Sequence, residues 1–290
     1  MSKTGATLAR LWVFKNKAPK LRSTPLLAGL FALSISACQP AATDAQSTTN
    51  SSWSCQTQDQ PFSYSACQIA TKTVTQSADS PYSLQLFWQQ AERSQPLLTF
   101  DTLIDTLPAE QHLIFAMNAG MYNEAYAPIG YTVIAGEERR ALNTKEGGGN
   151  FHLLPNGVLW WDKAGKIHIT ESKALKNQLK TGQAQPWYAT QSGPMLVIDG
   201  DIHPQFNPDS RSLKQRNGVG ICADGSIQFV NSDEPVSFYD FATLFKNDLG
   251  CANALFLDGG IASALYAPNI DKHDKKQMGV MIGVIETKDN

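Results

Sequence analysis

The 290-residue chain has 24 basic and 26 acidic residues, and 42% of its residues are hydrophobic. Six of the basic residues lie before Ser23, where no acidic residue occurs, so the remainder has 18 basic against 26 acidic groups and a formal net charge of about −8. That charge argues against nucleic acid and against broad anionic surfaces as partners.

A secretory signal peptide is predicted for residues 1–37. The basic stretch is followed by an apolar run from Leu26 to Ile35, which is shorter than the ~20 apolar residues of a membrane-spanning helix. Basic, apolar and then small residues is the order found in export signals. The run ends in Ile35-Ser36-Ala37-Cys38, which resembles a lipobox, so we expect lipidation of Cys38. The alternative is an ordinary signal peptide with a coincidental cysteine.

A lipid anchor would hold the protein to the cell envelope, because two or three acyl chains on one cysteine bind a membrane stably. Gln39 after the cysteine favours the periplasmic side of the outer membrane if the host is Gram-negative. Residues 38–54 are polar and are predicted to be a flexible tether. Residues 55–290 suffice for one folded domain.

Four cysteines of this domain are candidates for disulfide bonds, because an even number of cysteines is typical of exported proteins. Pairing of Cys55 with Cys67 and of Cys222 with Cys251 is the simplest arrangement. Three connectivities are possible, and free thiols remain an alternative.

In chain order, the domain is predicted to contain many strands and few helices. Tyr82–Trp88 alternates in part and is predicted to be a strand, and Asp101–Leu107 a short helix. Hairpin turns are predicted at four dipeptides: Gly136-Glu137, Asn156-Gly157, Asp199-Gly200 and Asp224-Gly225. The second, between Phe151–Leu154 and Val158–Trp161, and the fourth carry the type I′ signature.

Two further helices are predicted, at Glu171–Leu179 and after Ser237. Ser237 is a suitable N-cap, apolar residues follow at helical spacing, and Gly250 stands where the helix should end. Ala254–Leu257 then reads as a buried strand. The predicted class is α+β: a mostly antiparallel or mixed sheet with helices packed against it, in a single domain.

Several common sites are excluded by the motifs that the sequence lacks. There is no GxSxG elbow, Walker A loop, HExxH helix or CxxC pair, and the five histidines lie far apart in the sequence. Clusters of Asp and Asn with backbone carbonyls could suit Ca²⁺, but no EF-hand spacing is present, so no metal ion or cofactor is predicted.

Polar residues and glycines follow several apolar runs, and such positions collect at sheet rims, where sites are commonly built. Each cluster alone is more often turn chemistry than a site. Together they supply carboxylates, an arginine and glycines that let a ligand approach the backbone closely. The clusters are Asn118-Ala119-Gly120, Glu146 with Gly147–Gly149, Ser192-Gly193-Pro194, Arg216-Asn217-Gly218 and Asp258-Gly259-Gly260 with Ser263.

The order of four of these motifs resembles the phosphodiester glycosidase family. They are Asn118–Met121, Gln191–Leu196, Arg216–Gly220 and Leu257–Ser263, and the resemblance extends roughly from Leu113 to Ile285. It implies a hydrolase that cleaves the glycosidic bond of a sugar-1-phosphodiester, so that carbohydrate would be the partner.

The resemblance also implies roles for individual residues. Asp258 would be the nucleophile or general base and Glu146 the second carboxylate. Arg216 would bind phosphate with its planar fork. The remaining residues would bind substrate: Asn118, Gly120, Ser192, Gly193, Asn217, Gly259, Gly260 and Ser263.

Two other classes of function fit the same residues. A non-catalytic lipoprotein could bind envelope glycan or phosphoglycan through these loops without cleaving it. A structural lipoprotein with vestigial motifs ranks last, because arginine, aspartate, serine and asparagine are all retained. Activity on a sugar-phosphodiester separates the enzyme from the binding module.

Overall fold

The computed structural model describes residues 53–70, 80–90 and 94–288, which belong to one compact unit spanning 48–290. The predicted signal peptide, the lipidation at Cys38 and most of the predicted tether lie outside the described residues. The first strand begins at Trp53, two residues before the expected domain start at Cys55. Within these ranges, no helix has the length and apolar character that crossing a membrane requires.

The described residues form seventeen strands and three α-helices. The strands of the first half are β1 (Trp53–Gln58), β2 (Tyr64–Ala70), β3 (Tyr82–Phe87), β4 (Gln111–Asn118), β5 (Thr132–Ile134), β6 (Glu137–Arg140), β7 (Gly157–Trp161) and β8 (Ile167–Glu171). Those of the second half are β9 (Tyr188–Ser192), β10 (Met195–Ile198), β11 (Asp201–Ile202), β12 (Asn217–Cys222), β13 (Ser226–Ser232), β14 (Cys251–Phe256), β15 (Leu265–Ala267), β16 (Lys272–His273) and β17 (Met281–Thr287). The helices are α1 (Phe100–Thr106), α2 (Ser172–Lys180) and α3 (Phe238–Thr243).

These strands make three sheets. The first has the order β1-β2-β13-β12-β14-β10-β11, the second β16-β15-β4-β17-β3 and the third β6-β5-β9-β7-β8. All pairings between the described strands are antiparallel. The predicted α+β class with mostly antiparallel pairing is therefore confirmed.

The sheets enclose a shared hydrophobic core. Its largest buried cluster combines side chains of all three sheets, including Ile69, Phe115, Trp161 and Phe229. A second cluster lies under α3 and contains Phe241. Burial of side chains of this size supplies the main driving force for folding, at about 1.5–3 kcal/mol each.

Two of the predicted hairpins are present, although the one predicted at Gly136-Glu137 turns one residue earlier, at Ala135-Gly136, because Glu137 already pairs with Ile134. Ala135 and Gly136 have φ angles of 51° and 82° between β5 and β6. Asp199 and Gly200 have φ angles of 47° and 88° between β10 and β11. Positive φ at both central residues matches the twist of a two-residue hairpin.

The hairpin at Asp224-Gly225 is confirmed, but the predicted type I′ turn is wrong. Gly225 has a φ of 78°, whereas Asp224 does not have a positive φ. The Gly225 N–H donates to the Cys222 carbonyl at 3.0 Å. Residues 222–225 therefore form one turn, and Gly225, with its positive φ, reverses the chain direction after it. The Asp224 carboxylate accepts from the Ser226 N–H at 2.9 Å, which fixes this longer loop.

The hairpin predicted at Asn156-Gly157 is wrong. Residues 150–152 form a single 3-10 turn, and β7 pairs with β8 and β9 instead. Asn156 is fully buried and donates to the Phe151 carbonyl at 2.9 Å. Its neighbour Gly157 lies where an added Cβ would be 3.0 Å from the Met195 side chain. The dipeptide is therefore part of the packed interior and does not form a surface turn.

The three predicted helices are confirmed. Ser237 caps α3 by accepting from the Asp240 N–H at 3.0 Å, and the helix continues through a π-helical turn at Leu244–Asp248. Gly250 follows with a φ of 66°, as a terminating glycine should. Helix α2 has Glu171 as its N-cap.

Both simple cysteine pairs are present as disulfides. Cys55 and Cys67 are direct partners in the β1–β2 register, and Cys222 and Cys251 are partners in the β12–β14 register. Each bond therefore crosslinks neighbouring strands of the seven-stranded sheet.

Ser237→Ala should lower the free energy of unfolding by about 1–2 kcal/mol, because it removes a buried N-cap. Urea unfolding followed by circular dichroism measures the change. Ser210→Ala, in a loop, is the matched control and should cost less than about 0.5 kcal/mol. Equal losses in the two variants would contradict the capping role.

Candidate active site

The ends of four strands meet where the first and second sheets join. Asn118 ends β4, Asn217 begins β12, and Asn231 lies opposite Asn217 in the β12–β13 register. Asp258 follows β14, and its N–H donates to the Ala119 carbonyl at 2.9 Å. Three motifs that are distant in sequence are thus brought into direct contact.

A buried network of amides and one hydroxyl connects these strand ends. Asn118 Nδ2 donates to the Asp258 carbonyl, and Asn118 Oδ1 accepts from Asn217 Nδ2 and from the Ala264 N–H. Asn217 Oδ1 accepts from Asn231 Nδ2 at 2.9 Å and from Ser263 Oγ. Because these polar atoms satisfy one another, the network holds the backbone around Asp258 in place.

The third sheet is tied to the same region through β9. Thr190 Oγ1 accepts from the Gly120 N–H at 3.0 Å, and a Cβ at Gly120 would lie 2.6 Å from that oxygen. Gln191 is buried, and its amide binds the backbone N–H and carbonyl of Asn143 at 3.0 and 2.6 Å. Gly120 is therefore required for close packing of the three sheets.

Ser192 and Gly193 are buried at the end of β9. No hydrogen-bond partner of Ser192 Oγ is found among the described residues, although the atom is inaccessible to solvent. An added Cβ at Gly193 would lie 2.6 Å from Asn156 Cβ. The glycine thus has a packing role, and the hydroxyl of Ser192 keeps an unused donor and acceptor.

Asp258 is the carboxylate with the most strongly altered acidity in the described chain. Burial raises its pKa to about 7, and a hydrogen bond from the Gly259 N–H opposes the shift. Its negative charge in turn contributes to the raised pKa of Tyr122, for which burial is the larger cause. At neutral pH the carboxyl of Asp258 therefore exchanges readily between its two protonation states.

Arg216 is only 2% exposed, and its guanidinium is held mainly by the fold. Nε donates to the Val236 carbonyl at 2.8 Å and Nη2 to the Ser212 carbonyl at 3.1 Å. The guanidinium carbon lies 3.5 Å from the centre of the Phe238 ring. Burial lowers the pKa to about 10, so the group stays charged at neutral pH.

These contacts restrict the way in which Arg216 can bind phosphate. The edge formed by Nε and Nη2 is occupied by two carbonyls, so it is not available for a bidentate bond to phosphate. The residue still lines a cavity, which leaves the charge and the remaining N–H groups as its means of binding an anion.

The cavity next to Asp258 has a volume of about 800 Å³. Gly259 and Gly260 line it directly after the carboxylate, and three cations contribute to the lining: Lys214, Arg216 and Lys276. Lys276 Nζ donates to the Ser263 carbonyl at 2.6 Å, so the amide network also positions this ammonium group. Such a concave, cationic surface suits an anionic ligand.

The other expected site residues have different positions. Glu146 is exposed and does not belong to the cavity lining, whereas Asn150, at the end of the same glycine-rich segment, does. Asp258 itself is not part of the lining, which it adjoins in sequence through Gly259 and Gly260. Of the described residues, the lining also excludes Asn118, Asn217 and Ser263, whose polar atoms bind one another. These three build the site rather than face the cavity.

Sequence reasoning missed Asn231, Gln191 and Lys276. Gln191 lies within a recognised motif, which was its only signal. Asn231 and Lys276 stand outside the motifs, and their roles depend on strand register and chain folding. Within the described ranges, no three His, Cys, Asp or Glu side chains come together in a group that could hold a metal ion.

Comparison with known proteins places this arrangement in a family. The model of the family described as phosphodiester glycosidase matches residues 111–285, more than half of the chain. The chain belongs to the phosphodiester glycosidase family. It is 34% identical over 202 residues to the uncharacterized protein YigE of Escherichia coli, covering 68% of this chain and 76% of YigE.

Solved structures show the same fold at low sequence identity. The zebrafish N-acetylglucosamine-1-phosphodiester alpha-N-acetylglucosaminidase catalytic domain, auto-inhibited by its pro-peptide, matches with a TM-score of 0.54 and 13% identity, covering 82% of each chain. A hypothetical protein from Synechocystis matches with a TM-score of 0.55 and 14% identity, covering 81% of this chain and 62% of that one.

Asn217→Ala should lower the free energy of unfolding by about 2–4 kcal/mol, because Asn118, Asn231 and Ser263 would each lose a buried partner. Urea unfolding measures the loss. Asn253→Ala, on the more exposed part of β14, is the matched control and should cost less than about 1 kcal/mol. A loss at Asn217 no greater than at Asn253 would contradict the importance of the network.

Proposed function

We propose that the protein hydrolyses the glycosidic bond of a sugar-1-phosphodiester, releasing sugar and a phosphomonoester. The observation that carries the proposal is the half-buried Asp258 with its raised pKa. It directly precedes two glycines that line a cavity, and three cationic side chains line the same cavity. Membership of the phosphodiester glycosidase family supports the reaction class.

The three cations are suited to the phosphate of such a substrate. Lys214, Arg216 and Lys276 place positive charge along one cavity, and charge-assisted hydrogen bonds to phosphate are stronger than neutral ones. As the bond between the sugar carbon and the phosphate oxygen breaks, the departing oxygen gains negative charge. Fixed cations stabilise that charge more in the transition state than in the substrate.

Asp258 supplies the base or the nucleophile. As a base, its carboxylate takes a proton from water while the water oxygen bonds to the anomeric carbon and the bonding electrons leave with phosphate. As a nucleophile, its carboxylate bonds to that carbon while the phosphate monoester leaves with the bonding electrons, and water then displaces the carboxylate to release the sugar. The phosphate monoester is already an acidic leaving group, so the reaction needs little help from a general acid.

The proposal also includes where in the cell the protein acts. The lipobox-like Ile35–Cys38 favours a lipid anchor at Cys38 in the cell envelope, so envelope or extracellular glycans are the proposed source of substrate. The sugar of the substrate is to be identified with a panel of sugar-1-phosphodiesters.

The test is release of sugar and phosphomonoester from α- and β-linked gluco, galacto and N-acetyl sugar-1-phosphodiesters. Asp258→Asn should reduce kcat by about 10²- to 10⁴-fold, as expected for loss of a base or nucleophile. Asp209→Asn, in an exposed loop, is the matched control and should leave the rate unchanged. Absence of release from every substrate, with binding retained, would favour a non-catalytic glycan-binding protein.

The pH profile provides a separate prediction. The carboxyl of Asp258 is protonated below its pKa of about 7, and both proposed roles require the ionised form. For whichever substrate of the panel the protein cleaves, kcat/KM should therefore rise with pH through an apparent pKa near 7. An activity that falls with rising pH over this interval would contradict both roles and indicate a general acid.

A further inference from the structure

One side chain of the cavity lining is both apolar and exposed. Leu213 is 50% exposed and is the one large hydrophobic residue with high exposure in the described part of the chain. It lines the same cavity as Arg216 and Lys276. A single exposed leucine needs no explanation by itself, but its position beside the proposed phosphate site does.

The backbone around Leu213 is fixed. The carbonyl of Ser212 accepts from Arg216 Nη2 at 3.1 Å, and the N–H of Leu213 donates to the Arg211 carbonyl at 3.0 Å. On the other side, Lys214 and Val236 exchange backbone hydrogen bonds of 3.1 and 2.9 Å. The side chain of Leu213 is therefore presented at a defined position rather than on a free loop end.

One further apolar residue extends this surface. Pro235, next to Val236, lines the cavity and is exposed. The ring of Phe256 also contributes to the lining but is only 2% exposed, and it packs against Gly259, where an added Cβ would be 2.8 Å away. Phe256 therefore supports the cavity wall from behind. We call Leu213 and Pro235 the apolar lip.

We propose that the apolar lip binds the alcohol that is esterified to the phosphate, and that this alcohol is apolar, such as an alkyl, aryl or lipid chain. This inference rests on the proposed function. A phosphodiester carries the sugar on one ester bond and the alcohol on the other. The lip and the cations line one cavity, so the alcohol of a phosphodiester bound among the cations would lie against the lip.

The chemistry of the lip favours this occupant over a polar alcohol. A glycerol or sugar group would give up bonds to water on Leu213 and Pro235 without gaining partners. An alkyl chain removes apolar surface from water on both sides of the contact, and each buried methylene group adds to the affinity. Cations next to an apolar surface thus match an amphiphilic phosphate ester.

The test compares binding of methyl phosphate and n-hexyl phosphate by calorimetry. The protein is the full-length chain with Cys38→Ala, which prevents the proposed lipidation without changing a described residue. Hexyl phosphate should bind about tenfold more tightly, the effect of burying roughly two methylene groups. Leu213→Asn should reduce the ratio of the two affinities to about threefold or less, and Leu213→Met, which keeps the apolar surface, should preserve it.

Equal affinities for the two phosphates, or a ratio unchanged by Leu213→Asn, would overturn the apolar lip as a binding surface. The outcome is separate from that of the hydrolysis panel. Cleavage of diesters without a preference for apolar alcohols would support the proposed hydrolase and contradict the binding of an apolar alcohol by the lip. A Leu213-dependent preference for hexyl phosphate without any hydrolysis would support the lip as a binding surface and contradict the proposed hydrolase.

Discussion

The structure depends on satisfying the buried amides where its sheets join. Asn118 and Asn217 are both inaccessible to solvent, and an unpaired amide at such a place costs roughly 1–3 kcal/mol. Each can be satisfied only if β4, β12, β13 and the segment after β14 arrive in one register. Because a slip of one residue turns every side chain of a strand to the other face, the network selects a single arrangement. Asp258 and Gly259 obtain their positions from that arrangement.

Local signals sufficed for much of the fold. Ser237 and Gly250 marked the bounds of α3 because capping depends on neighbouring residues, and Asp199-Gly200 marked a hairpin for the same reason. Asn156-Gly157 shows the limit. The dipeptide has the composition of a surface turn, yet Asn156 is buried against the Phe151 carbonyl. Burial is decided by distant strands, and no local pattern reports it.

The same limit applies to the candidate site. Motif order predicted Asp258, Arg216 and the glycines as site residues, since their types and order are visible in the sequence. It gave no access to what surrounds Arg216, which is two carbonyls and an aromatic ring. It also missed Lys276, which reaches the site because Ser263 accepts from its ammonium group. The sequence shows which side chains are available for a site, but it does not show which groups surround each of them in the folded protein.

Arg216 and Asp258 are both desolvated, and within the described ranges no ion pair joins either to an opposite charge. Burying charges without such pairing lowers stability. The Phe238 ring and two carbonyls offset part of this for Arg216 and keep it cationic. Asp258 has less compensation, and its pKa rises to about 7 as a result. A fold selected for stability alone would pair or replace these groups. A site that leaves them unpaired can use both charges on the proposed substrate, which carries phosphate and is attacked at carbon.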